Sequence, residues 1–293
     1  MRLGYACINL SIPARSNHRC LLKNASSGAL RRLISQNLAG LREILEYNAA
    51  RNILLFRISS NVIPFASHPV NRISWEDEFA PQLAGLGRII AEFNMVVSMH
   101  PGQYTIINSP HPQVVRNSLA ELDYHRRFLD ALSGSACHKI VVHVGGLYGN
   151  KARAKQRFIE QCRDMDPGMK RRLVIENDDR LFTAADVLEL SHQTGLPMVF
   201  DHLHHLAHPS GPERVAEWLL RARSTWEPSD GDYKVHYSDQ DPQKKKGSHA
   251  HSIDIEKLRC FLAELPDYRV NIMLEGKDKN LSVERVMELL AMG

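Results

Sequence analysis

The sequence predicts a single-domain (β/α)₈ barrel, an α/β fold of the TIM-barrel type with its active site at the C-terminal ends of the strands, and three observations carry that prediction. Short β-branched runs recur eight times along the 293 residues. Each is followed by a stretch with helical periodicity, the alternation of βαβ units around a parallel sheet. No Pro/Gly/Ser-rich linker or break in composition divides the chain, so residues 1–293 read as one domain. A barrel of this kind occupies about 250 residues, which fits the length.

Strands are expected at residues 2–8, 53–59, 95–100, 139–144, 172–176, 197–202, 234–237 and 270–275. A helix over 29–52 carries the stripe Leu33, Leu38, Leu41 and Leu45, and one over 114–132 carries Leu119, Leu122, Phe128 and Leu129. Both stripes have the spacing of a face packed on the barrel wall. Thr183 precedes a helix over 184–194 with Asp186 three residues on, the pattern of a capping box, and Gly195 would stop that helix. Ser282 reads as a simple cap of the last helix, which would run to the end of the chain. The least regular stretch is 228–247, with PSDGD and the run Lys244, Lys245, Lys246. Taken alone, such a run more often marks a solvated loop than a binding site.

Composition narrows the class. With 43% hydrophobic and 24% charged residues the chain can bury a sizeable core, which excludes a disordered protein. A net charge of +4 permits polyanion binding without arguing for it. Five cysteines, Cys7, Cys20, Cys137, Cys162 and Cys260, are an odd number without a CxxC pair. They indicate neither a disulfide framework nor a thiolate zinc site, and a reducing, cytoplasmic location fits best. The first twenty residues lack a continuous apolar core, and no apolar run approaches the ~20 residues a membrane helix needs.

Barrel enzymes hold their catalytic groups at the C-terminal strand ends and on the loops that follow. Six of the eight strands here end in a residue able to ligate metal. These are His100 in VVSMHPGQY, His143 in KIVVHVGG, Glu176 in RLVIEND, Asp201 and His204 in PMVFDHLHH, His236 in YKVHYSDQ and Glu275 in VNIMLEGKDK. Each follows an apolar run, and burying so many ionisable groups together is costly unless something neutralises them. Divalent cations do so directly. Nitrogen and carboxylate donors without cysteine suit Zn²⁺, Mn²⁺ or Fe²⁺. Seven or eight candidates exceed what one ion uses and point to two or three metals, the usual device for attacking a phosphodiester. GSHAHSI adds His249 or His251, which extended spacing puts on one side, so the pattern leaves both open. His111, His125, His138, His192 and His208 lie away from strand ends and read as surface or packing residues.

The residues and their order resemble the UV damage endonucleases, relatives of the endonuclease IV type of apurinic endonuclease. The likeness runs nearly end to end: LGYACINL at 3–10, HPGQY at 100–104, VVHVGG at 141–146, IEND at 175–178, FDHLHH at 200–205, KVHYSDQ at 234–240, GSHAHSI at 247–253 and LEGKDK at 274–279. The resemblance implies a DNA repair enzyme that nicks double-stranded damaged DNA immediately 5′ of a UV photoproduct, leaving a 3′-hydroxyl and a 5′-phosphate. It implies three divalent metals, Mn²⁺ for activity with Zn²⁺ or others as alternatives, and a monomer, and it implies no protein partner. The ligands it implies are His100, His143, Glu176, Asp201, His204, His236, His249 and Glu275, favouring His249 over His251. It places Lys234, Glu176 and His143 at the catalytic centre and marks Lys234 as carboxylated on its side-chain nitrogen.

A physical account of that modification is available. Lys234 and His236 are two apart on one strand and face the same way, so an ammonium there would be repelled by metals. A neutral amine can take up CO₂ as a carbamate. Gln103 and Tyr104 are cast as probes pushed into the duplex opposite the damaged bases, and Tyr5 and Asn9 as contacts to the flipped lesion. Lys244–Lys246 then lie on the active-site face, where they would meet phosphates. Two other readings use the same ligands: an apurinic-site endonuclease, differing in lesion, and a metal-dependent sugar isomerase, which would need no DNA-facing basic surface.

Overall fold

The computed structural model describes residues 1–211, 214–267 and 269–291. Its strands are β1 (Arg2–Ala6), β2 (Leu55–Ile58), β3 (Val96–Met99), β4 (Lys139–His143), β5 (Leu173–Glu176), β6 (Met198–Asp201), β7 (Tyr233–Tyr237) and β8 (Val270–Leu274). All neighbours are parallel and follow chain order, and β1 pairs with β8 through Arg2↔Asn271 and Gly4↔Met273 to close the barrel. Around it run α1 (Ser27–Ala50), α2 (Trp75–Glu78), α3 (Ala80–Glu92), α4 (Pro112–Leu132), α5 (Lys151–Arg163), α6 (Pro167–Arg172), α7 (Ala184–Thr194), α8 (His202–Ala207), α9 (Val215–Arg223), α10 (Ile255–Ala263) and α11 (Asn280–Ala291).

The expected strands are all present, most of them trimmed at the ends by identifiable local structure. β1 stops at Ala6 because Cys7 turns to φ 68°, outside the extended region. β5 starts at Leu173 because α6 ends at Arg172, and β6 ends at Asp201 because that residue caps α8, its carboxylate accepting the His204 amide. The capping box at Thr183 and Asp186 forms, and Gly195 ends α7 at φ 71°. Two expectations are corrected. Leu33 is only half-buried on α1; the inward stripe is Leu30, Ile34, Leu38, Leu41 and Leu45, since 3.6 residues per turn rotate Leu33 off the wall. Ser282 does not cap the last helix, which begins at Asn280; its hydroxyl instead accepts the Ile253 amide at 3.0 Å.

Strand alternation sorts residues into two shells. Leu3, Tyr5, Phe56, Ile58, Val97, Met99, Ile140, Val142, Ile175, Phe200, Val235 and Ile272 join the apolar layer between barrel and helices. Ala6, Leu55, Val96 and Met273 form a separate cluster inside the barrel, as do Val141, Val174 and Val199. No helix among the described residues is long and apolar enough to cross a membrane.

Candidate active site

Above those inner apolar residues, the same alternation brings polar side chains to the C-terminal mouth. Arg57, His143, Glu176, Asp201 and His236 lie at or next to the ends of their strands, with His100 and Glu275 one residue beyond theirs. His204 arrives from the first turn of α8. His249 comes from the β7–α10 loop, its Nδ1 3.0 Å from Ser238 Oγ and 3.1 Å from the Glu275 carbonyl. His251 is exposed, with its ring beside Ser252.

Glu176 is the hub. Its Oε2 lies 3.1 Å from His100 Nε2 and 3.7 Å from His143 Nε2, and its Oε1 lies 2.5 Å from His236 Nδ1. His100, His143 and Glu176 offer ligand atoms within 4.8 Å of one another, and so do Glu176, Asp201 and His236. Glu176 is the one carboxylate common to both groups. Glu275 Oε2 lies 3.6 Å from His249 Nδ1, and the His204 ring is 5.8 Å from that of His143 and 6.0 Å from that of His249.

The electrostatics are those of buried acids and bases tuning one another. Burial alone would raise Glu176, but the charges of His236 and His143 and hydrogen bonds from His100 and His236 hold its carboxyl well below the usual range. Burial pushes Asp201 well up, with Glu176 and Glu275 adding to the rise. His204 goes to about 9, because Asp201, Glu176 and Glu275 outweigh the opposing effect of its burial. Asp201 Oδ2 and His143 Nδ1 are buried without a hydrogen-bond partner. Orphaned acceptors among nitrogen and carboxylate donors are what a divalent cation satisfies, so these residues fit metal.

A cavity of about 280 Å³ opens beside the cluster, lined by His100, Gln103, His143, Asp178, Arg180 and His204 among others. Tyr104 stands 69% exposed and lines a neighbouring cavity with Glu121 and Tyr124. Gly247 closes the lysine-bearing loop at φ 83°, its α-carbon packed on Asp179, while Lys244, Lys245 and Lys246 are all exposed.

Lys234 is 1% exposed, and its amine has no hydrogen-bond partner. Burial, then the charge of Arg57, lowers it to about 7, so no metal is needed to depress it. The expected lesion contacts at β1 are placed differently. Tyr5 points outward to α1, its hydroxyl donating to Asn48 (2.7 Å) and accepting from Asn9 (2.8 Å), and both Tyr5 and Asn9 are fully buried. The physical reason is the period of two, which puts Leu3 and Tyr5 on the helix side and Gly4 and Ala6 on the axis.

Strand-end reasoning missed Arg57, Arg180 and Asn177. Arg57 was discoverable as a lone charge in the apolar run FRIS. Asn177, next to Glu176, fixes the neighbourhood by bonding the backbone of Asp201 in both directions (3.0 and 2.9 Å) and accepting His204 Nδ1 through its carbonyl (3.0 Å).

A closed parallel barrel with carboxylates and imidazoles converging on its mouth defines the class: a TIM-barrel protein whose C-terminal face carries side chains able to hold metal. The chain belongs to the UV-endonuclease UvdE family, whose model matches residues 1–292. It is 42% identical over 291 residues to a UV DNA damage endonuclease of Clostridium perfringens (strain 13 / Type A), covering 99% of this chain and 71% of the relative. To the UV DNA damage endonuclease of Bacillus cereus (strain G9842) it is 33% identical over 302 residues, covering 99% and 95%. The solved structure of SacUVDE superposes with TM-score 0.94 at 39% identity, covering 100% of this chain and 98% of that one. Endonuclease IV from Thermus thermophilus (TM-score 0.59, 19% identity, 100% of both chains) and D-psicose 3-epimerase from Clostridium cellulolyticum (0.57, 13%, 94% and 85%) share the fold.

Proposed function

We propose that this chain nicks damaged DNA immediately 5′ of UV photoproducts by metal-assisted phosphodiester hydrolysis, leaving a 3′-hydroxyl and a 5′-phosphate. The observation that carries it is Glu176, buried at the hub of two sets of metal-ligating side chains on the face where barrel enzymes work. His100, His143, Glu176, Asp201, His204, His236, His249 and Glu275 would hold two or three divalent ions, with Mn²⁺ the activating one. Bound divalent metal supplies a water of lowered pKa and stabilises charge on phosphate oxygens.

The protein's own groups do the rest. His236 and His100 hydrogen-bond Glu176, keeping it ionised and oriented. The Asp201 carboxylate and the Asn177 carbonyl hold the His204 backbone and ring. Gln103, exposed at the cavity, and the exposed Tyr104 would enter a duplex, and the three exposed lysines would meet its phosphates. Lys234, buried and unpaired, is suited to carboxylation: the neutral amine adds to CO₂, an N–C bond forms and a proton leaves. Tyr5 and Asn9 would act on the lesion only through their neighbours, as neither exposes surface.

Incision of a duplex with a single pyrimidine dimer tests the proposal. His143→Ala and Glu176→Ala should abolish nicking while leaving the far-UV circular dichroism unchanged. Full activity in either folded variant, or equal nicking of an abasic duplex and a dimer duplex by the wild type, would sink it.

A further inference from the structure

Inside the ring of carboxylates and imidazoles sits a permanently charged side chain that the strand-end pattern does not include. Arg57, on β2, is 7% exposed, and its Nη2 lies 2.5 Å from Glu275 Oε1 and 2.9 Å from His236 Nε2. We infer that Arg57 is a positioning residue that sets which oxygen of Glu275 is offered to a metal, an inference that rests on the metal reading above. A guanidinium can only donate, so Oε1 is taken by a short charge-assisted hydrogen bond. Oε1 then stays 3.6 Å from His236 Nδ1, and Oε2 turns toward His249, whose Nδ1 is also 3.6 Å away.

The arginine's own position is fixed by the sheet: its Cα is in register with Ala6 on β1 and Ser98 on β3. Stability is a poor explanation for it. Arg57 Nε is buried without a partner, and a buried ion pair replaced as a whole by well-packed apolar residues is often neutral, so a stable core does not require the pair. What an apolar residue cannot do is hold one carboxylate oxygen in place. Lysine, a point charge on a flexible stem, lacks the planar fork that fixes this direction.

Equilibrium dialysis of the full-length protein against Mn²⁺, with metal analysis, tests the role apart from activity. Arg57→Met leaves Glu275 without its countercharge and should melt at a lower temperature, but the folded variant should keep its circular dichroism and bind one Mn²⁺ about 10–100-fold more weakly, the usual effect of losing a group that orients a ligand. Arg57→Lys should recover only part of that affinity. Glu275→Gln should lose the same ion, and Arg57→Met added to it should cost nothing more. Wild-type affinity in Arg57→Met, or losses that multiply in the double variant, would overturn the inference. If Arg57→Met fails to fold, full Mn²⁺ affinity in a folded Arg57→Lys overturns it instead. A wild type that binds no Mn²⁺ defeats the metal reading itself, a distinguishable failure.

Discussion

Among single residues, burial does most of the tuning. Lys234 illustrates the sign of the effect: its amine falls from 10.5 to about 7, so the folded protein resists protonating it. Protonation costs stability in full below about 7, and the cost disappears as pH rises to 10.5. In chelated, CO₂-free buffer, Lys234→Met should therefore be more stable than the wild type by a margin that shrinks as pH rises across that window. Denaturant melts at about pH 6, 8 and 10 would show it; a constant margin would exclude the depressed amine. With ¹³C-bicarbonate the wild type should gain a carbamate resonance that grows as pH rises through about 7 and is missing from Lys234→Met. Arg57 was hard to read because a cation in an apolar strand has two faces to choose from, and only the closed barrel shows that it lies inside.

Among the elements, caps and loops carry separable effects. The Thr183 hydroxyl accepts the Asp186 amide while Asp186 takes the Thr183 amide, and Lys151 and Lys155 both pair with Asp186. Thr183→Ala should cost about 1 kcal/mol in chemical denaturation, the usual value of an N-cap, and leave incision intact. The loop after β7 behaves differently, because its lysines touch solvent and support no core. Replacing Lys244, Lys245 and Lys246 together with Ala should weaken binding of damaged and undamaged duplex alike. The slope of log affinity against log salt should fall by up to about 3. A loss confined to damaged DNA would assign the loop to lesion recognition instead. The capping box was legible because its spacing is local. Ser282 misled because a serine before an apolar run has the same spacing whether it caps a helix or bonds a distant amide.

Across the whole molecule, the site and the fold draw on different residues. The apolar layer between strands and helices contains none of the proposed ligands, so chelation should leave the barrel's circular dichroism intact. Ions that bind only the native state should still raise its stability, by about 2.7 kcal/mol at a hundredfold excess over Kd. Melting with and without Mn²⁺ measures this, and an unchanged midpoint would count against a metal site. Local pattern along the chain was enough for the eight-fold alternation, and with it the barrel and the strand ends where ligands collect, because strand periodicity and apolar runs are properties of neighbouring residues. It took the folded barrel to bring Glu176 into two groups able to hold metal, to show that His249 rather than His251 faces Glu275, that Arg57 enters the ring, and that Tyr5 turns to the helices. Those outcomes depend on distances between residues tens to hundreds of positions apart, and closure of the barrel sets these distances.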